Sequence, residues 1–321
     1  MAKKKRKKSS ARIGLSPGAM IYTGDQKVKQ TSIELIDYDE KAFNVKKLKT
    51  IEEAVHFKDT PTVSWLNIVG LHDTELIQKV GKHFGIHSLV LEDILNTDQR
   101  PKIEIHDNYL FITLKMLTYD TSVNEVQNEQ ISFILGKHFV ISFQERMGDV
   151  LQPVRNRIKN NLSRLRKFAP DYLVYALIDI IVDHYFYVLE CIDEEITRLE
   201  DDVVYNPDQS QLQRIHQLKR ELVTIRRNIW PVRDIASSLI REEYHLVNET
   251  TEPYIHDLHD HVLNITEMVE SIPLSFLAGI YGMNFKYMPE LGWHYSYFVL
   301  WGIILIAASF MLYYFKRKNW L

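Results

Sequence analysis

Two clusters of residue types in this chain could hold a cation. Near the C-terminus, Tyr281-Gly282-Met283-Asn284-Phe285 sets an amide side chain beside a glycine carbonyl, between an apolar stretch and a longer uncharged one. Amide oxygens at one face of a membrane can hydrogen-bond a hydrated divalent ion without stripping its water. Gly282 lets the backbone turn and neighbouring chains approach closely. The tripeptide follows a long charged helical region, and that position points to the passage of divalent cations. Asn284 taken by itself also reads as a helix C-cap. The second cluster is His256-Asp257-Leu258-His259-Asp260-His261. On a helix, Asp257, Asp260 and His261 share one face, as do His256 and Asp260. Imidazole suits Co2+, Ni2+ or Zn2+ better than Mg2+, which makes His256, Asp260 and His261 a candidate transition-metal patch. A plain polar helix face would carry the same residues.

Enzymatic chemistry finds no support. The histidines lack H-E-x-x-H spacing, no nucleophile–base set is visible, and no G-x-x-x-x-G-K-[ST] phosphate loop occurs. The formal charge of −3, from 39 basic and 42 acidic residues, gives no bulk reason for a nucleic-acid partner. Lys3 to Lys8 read as part of a basic disordered tail over 1–17, with attraction to anionic lipid as the alternative. Cys191 is the only cysteine, which suits a reducing compartment. No apolar run follows the basic tail, so no cleaved signal peptide is expected.

The elements that must position these residues fall into two parts. Over 18–150, β-branched and aromatic runs at Ala19–Thr23, Ser32–Tyr38, Val63–Val69, Lys102–His106, Tyr109–Tyr119, Gln127–Leu135 and His138–Phe143 predict strands. The last two form a hairpin at Gly136-Lys137. Asp73–Phe84 predicts a helix with Asp73 as N-cap and Gly85 as stop, and His87–Leu95 a second. The pattern fits an α+β domain, a mixed sheet with flanking helices. Over 151–270 the chain turns helical. Asp171–Asp202 and Gln209–Glu243 are broken apart at Asn206-Pro207-Asp208 and should pair as a hairpin. Pro231 should bend the second near Trp230. A third helix begins near Glu252-Pro253.

Residues 295–315 carry no charge and are long enough to cross a hydrocarbon core of about 30 Å. Trp301, Tyr313 and Tyr314 sit near the ends of this stretch, and the basic tail 316–321 follows, predicting a cytoplasmic C-terminus. The stretch before the tripeptide is the difficulty. Ser271 to Tyr281 is apolar but gives roughly 16 Å of helix, about half a bilayer. Glu267 and Glu270 lie directly upstream, and drawing each into lipid would cost at least ~2.5 kcal/mol.

Together these features resemble the CorA-type magnesium/cobalt channel family. The likeness covers nearly the whole chain from about Gly18. It rests on Tyr281-Gly282-Met283-Asn284-Phe285 with Tyr287-Met288-Pro289-Glu290-Leu291, and on His87 to Asn96. It also rests on Gln99-Arg100-Pro101-Lys102, Gln217-Leu218-Lys219-Arg220 and Trp230-Pro231-Val232-Arg233. The resemblance implies a funnel-shaped homopentamer in a cell membrane, multi-pass, with both termini cytoplasmic and no nucleic-acid partner. It conducts Mg2+, with Co2+ and in some members Ni2+ also passing, and is held shut by cytosolic Mg2+ bound between subunits. It assigns the pore mouth to Gly282, Met283 and Asn284, and the pore lining to Ile272, Ser275 and Gly279. The regulatory cation falls to Asp93 with Glu92, Asp179 and Asp257.

In the family the stalk helix runs on for some eight further turns before the pore-lining stretch. Here Glu267-Met268-Val269-Glu270 leads straight into Ser271-Ile272-Pro273. About thirty residues, on the order of 45 Å of helix, are missing. The expected layout is thus a shortened stalk to 270, a truncated first transmembrane helix over 271–285, an outer loop over 286–294 and a second span over 295–315. Two other readings stay open: a Zn2+ transporter of the same superfamily, and a membrane-anchored metal-sensing subunit that does not conduct.

Overall fold

The computed structural model describes residues 14, 16–160, 164–205, 209–241 and 244–282, with 301, 302, 305, 306 and 309. The outer loop, the basic C-terminal tail, Met283, Asn284 and most of the second span lie outside the described residues, as does nearly all of the 1–17 tail.

Among the described residues seven strands form one sheet: β1 (Ser32–Tyr38), β2 (Phe43–Leu48), β3 (Val63–Val69), β4 (Lys102–His106), β5 (Tyr109–Asp120), β6 (Glu125–Leu135) and β7 (Phe139–Gln144). The order across the sheet is β2-β1-β3-β7-β6-β5-β4. Only the β3–β7 pair is parallel, with Leu66 opposite Ile141, and the remaining pairs are antiparallel. The expected hairpin is present, with Gly136 N–H donating to the Phe139 carbonyl at 2.9 Å.

Two short helices, α1 (Thr74–Phe84) and α2 (Ser88–Leu95), cover one face of the sheet. Their ends follow the predicted chemistry. The Asp73 carboxylate accepts from the Leu76 N–H, and Gly85 closes α1 in the left-handed region at φ 70, where a side chain would be strained. Ile77, Val80, Phe84, Val90 and Ile94 bury against Leu66, Ile68, Phe111 and Ile141 of the sheet.

Helix α3 (Gln152–Asn160) and three long helices, α4 (Pro170–Tyr205), α5 (Gln209–Arg241) and α6 (Glu252–Gly282), take the other face. The α4 stripe runs Leu173, Leu177, Ile181, Val188, Ile192, Ile196 and Leu199, and its upper part packs in one core with Trp65, Ile112 and Phe133. By length and composition α4 would pass as a membrane span, yet more than half of that window is buried in the fold. Its apolarity is therefore the mark of a core helix.

One expectation is corrected. Ala19–Thr23 forms no strand. It is a strap tied across the end of α2, with the Thr23 N–H donating to the Leu95 carbonyl at 3.1 Å. Strand β2 and helix α3 were not foreseen, because half of Phe43–Leu48 and most of Gln152–Asn160 is polar. The third helix begins at Glu252, as its Glu252-Pro253 start predicts. It is one uninterrupted element that passes through Pro273 to Gly282. Likewise α5 continues through Pro231 as a single helix, with Trp230 flanked by the guanidinium groups of Arg226 at 5.5 Å and Arg233 at 4.8 Å.

Candidate functional site

Helix α2 presents Glu92 and Asp93 next to each other beside a cavity of about 520 Å³ that is also lined by His87, Lys102, Glu104 and His106. Glu92 accepts from the Gly18 N–H at 2.7 Å. Asp93 is paired with Lys102, whose ammonium stands 2.7 Å from it and 2.6 Å from Glu104. The two carboxylates hold that ammonium in its charged form beyond its ordinary range, although burial opposes them. A mobile cation drawn to Asp93 therefore competes with a tethered one. Lys102 belongs to the Gln99-Arg100-Pro101-Lys102 motif, but nothing in the motif signals that its side chain turns back onto Asp93. On the cavity wall His106 stacks on Tyr109 at 4.5 Å.

A second acidic group forms where α6 lies on α4. His261 stands between two carboxylates, with Nδ1 3.8 Å from Asp179 and Nε2 3.9 Å from Asp257. Asp179 is mostly buried, whereas Asp257 is 60% exposed on the outer side of α6. Burial and the neighbouring Asp183 carboxylate push Asp179 up to about 6, against the pull of His261. The folded chain then keeps a proton on Asp179 that the unfolded chain, with its ordinary value of 3.8, has released. Stability supplied by this group is complete at acid pH and falls as pH rises from about 4 through about 6. Thermal unfolding of the divalent-free chain should show that slope, and Asp179→Asn should flatten it. An equal slope in the variant would assign the effect elsewhere.

Within one chain, Glu92 and Asp93 do not meet Asp179 and Asp257. Among the described residues no three His, Cys, Asp or Glu side chains assemble as a metal site. The His256, Asp260 and His261 patch is included in that statement. His256 is exposed, Asp260 is 76% exposed and turned to His259, and His261 faces α4.

Of the expected pore-lining residues, only the side chain of Ile272 is described. Ile272 is 6% exposed and belongs to the protomer's own core, on a row with Val262, Ile265 and Val269. Positions 275 and 279 follow three and seven residues later on that same row of the helix; their side chains lie outside the described set. The buried face of α6 is thus committed to α4 and α5 at least as far as Ile272.

The level at which α6 ends follows from its register. Tyr254 packs edge-on to Tyr172 and tilted against Tyr175, with ring centroids 4.9 and 5.5 Å away, and His261 lies against Asp179 and Phe186. Helices α4 and α6 therefore run in the same direction. Antiparallel α5 meets α6 at Ser237, whose hydroxyl is 3.2 Å from His259 Nε2. All three helices rise 1.5 Å per residue, so Gly282 lies ~32 Å beyond His261. That distance brings it level with the last turns of α4, near the tip of the α4–α5 pair. The surface beside this lower part of α6 is charged and wet: Glu194 and Arg198 pair at 3.8 Å while 75% and 68% exposed.

Comparison with known proteins agrees with this architecture. A family model described as CorA-like Mg2+ transporter protein matches residues 61–272 and 268–317. A cobalt/magnesium transport protein of Thermotoga maritima is 44% identical, over 98% of this chain and 99% of its own length. That alignment runs over 349 positions against a chain of 321 residues, so at least 28 positions (349 less 321) hold no residue of this chain. The family match breaks at 268–272, the place where the missing stalk is expected. Among solved structures, the complete magnesium transporter of Methanocaldococcus jannaschii superposes with a TM-score of 0.62 at 18% identity, over 90% of this chain and 98% of that one. The full-length CmaX protein gives 0.63 at 18% identity, over 92% and 98%. At these identities the two structures speak for the fold.

Proposed function

Because the chain belongs to the CorA-like Mg2+ transporter family, we propose that it carries Mg2+, with Co2+ as a second ion, across a cell membrane through a pore ringed by copies of itself. The observation that carries this reading is the Gly282-Met283-Asn284 tripeptide, which begins within α6 at Gly282, in a chain that aligns over 98% of its length with a cobalt/magnesium transport protein. A ring of Asn284 amide oxygens and Gly282 carbonyls suits an ion that gives up its water reluctantly. Neutral oxygen also binds weakly enough to release the ion, which conduction requires. The relatives that resemble this chain are named as transport proteins, not enzymes.

The assembly we propose is a homopentamer with both termini cytoplasmic, in which a regulatory Mg2+ bridges Asp93 and Glu92 of one copy to Asp257 and Asp179 of the next. Two features support it. Asp93, though paired with Lys102, opens onto a cavity, and Asp257 is 60% exposed beside His261, so both are accessible to a group that a neighbour would bring. Carboxylates that repel when empty and are bridged when filled make a switch. The Zn2+ alternative draws nothing from the described residues, where no His-containing metal cluster is assembled.

The test is Mg2+ flux into liposomes with Asn284→Ala. Flux should fall about tenfold, the effect of ~1.4 kcal/mol on the ion's path. Unchanged metal movement, or a chain that stays monomeric in detergent, would end this reading.

A further inference from the structure

Lys115 sits in the middle of β5, among Ile112, Leu114, Met116 and Leu117, and is 6% exposed. A buried ammonium must be fully bonded, since an unpaired one costs several kcal/mol. Lys115 finds its partners at the end of α2. Its Nζ donates to the Thr97 carbonyl at 2.6 Å and to the Gln130 amide oxygen at 3.1 Å. The Gln130 amide nitrogen in turn donates to the carbonyls of Asp93 and Ile94, each at 3.0 Å. The last carbonyls of a helix lack partners within it and carry its partial negative charge. Here the Gln130 amide takes the carbonyl of Ile94 and shares that of Asp93 with the Asn96 N–H, the buried cation takes that of Thr97 just past the helix, and the Thr23 strap takes that of Leu95. On its other side the Lys115 backbone carbonyl accepts from the hydroxyl of Tyr185, a fully buried residue of α4.

An unbroken path of hydrogen bonds thus joins the backbone of Asp93 to the middle of α4, the helix that carries Asp179. We infer that Lys115 is a positioning residue: through Gln130 it holds the carboxylate-bearing end of α2 in fixed relation to α4, and so sets the cation affinity of Asp93 without touching the cation. This inference rests on the proposal that Asp93 binds a regulatory Mg2+. Lys115 fixes the helix end that carries the ligand, as outer partners orient the ligands of other metal sites.

The experiment uses the full chain in detergent, with Mg2+ as the probe. The wild type is compared with Lys115→Met, which keeps the stem and loses the charge, and with Lys115→Arg, which keeps the charge. Gln130→Met is the second route, since it cuts the link and leaves the ammonium on Thr97. The Mg2+ concentration giving half of the maximal thermal shift should rise at least about tenfold in Lys115→Met and in Gln130→Met, and recover to within about threefold of wild type in Lys115→Arg. Without divalent ion, amide exchange over 93–99 should quicken in both methionine variants. A residue that merely stabilises the fold would lower the unfolding temperature and leave the Mg2+ half-point in place; that result, or unaltered exchange over 93–99, overturns the inference. A wild type that shows no Mg2+-dependent shift while the exchange difference persists overturns the Asp93 reading instead, and leaves Lys115 as the clamp on α2 alone.

Discussion

Restoring about thirty helical residues after Glu270 should raise Mg2+ flux into liposomes at least about tenfold over the chain as it stands. The reason is geometric. Helix α6 ends at Gly282, near the level of the α4–α5 tip, and Ile272 is still packed in the protomer core. To put Gly282 at the outer face of a hydrocarbon layer of about 30 Å, the last ~20 residues of α6 must lie in lipid. The neighbouring turns of α4 carry Glu190, Asp193, Glu194, Arg198 and Glu200 at that level, and each charge costs about 2.5–3.5 kcal/mol at the bilayer centre by insertion scales. The paired helices and the membrane crossing therefore compete for the same segment, and α6 crosses only by leaving α4 and α5. An insertion of about 28 residues adds ~42 Å of helix, which moves the crossing past the tip and removes the competition. Equal flux from the two forms would show that the short helix crosses unaided.

Arg214→Met should destabilise the sheet-and-helix domain by about 3 kcal/mol, the usual cost of leaving one member of a buried ion pair alone. Arg214 of α5 makes a two-pronged contact with Glu195 of α4 through Nε and Nη2, reaches the Asn124 carbonyl in the β5–β6 turn, and lies 3.4 Å from Glu221. Glu195 is 9% exposed and also accepts from the Tyr119 hydroxyl at 2.7 Å. One guanidinium therefore ties both long helices to the edge of the sheet. Burial, with Glu195 adding to it, raises Glu221 above the usual carboxylate range in spite of Arg214. Without Arg214, Glu195 and Glu221 would face each other uncompensated. Denaturant unfolding should report the loss, and adding Glu195→Gln to Arg214→Met should recover part of it. A single variant as stable as wild type would mean that this contact is solvated and weak.

The sequence alone determined those features whose cause is local. Asp73 and Gly85 bound α1 because a carboxylate caps free N–H groups and a glycine accepts positive φ. Glycine at the β6–β7 turn and the apolar stripe of α4 were legible for the same kind of reason, and spaced motifs in order carried the family. The short apolar run after Glu267 and Glu270 is likewise countable in the sequence. Tertiary structure decided whatever depends on what lies opposite. That Ile272 packs into the same core as α4 and α5 is visible only once those helices are in place. Lys115 reads as a surface charge in a strand until Gln130 and Thr97 are found around it; its one local sign was a cation inside an apolar run. Lys102 lies nine residues from Asp93 in sequence and 2.7 Å from it in space. Burial, pairing and register are properties of surfaces brought together from distant parts of a chain, and residue spacing within one element carries no record of them.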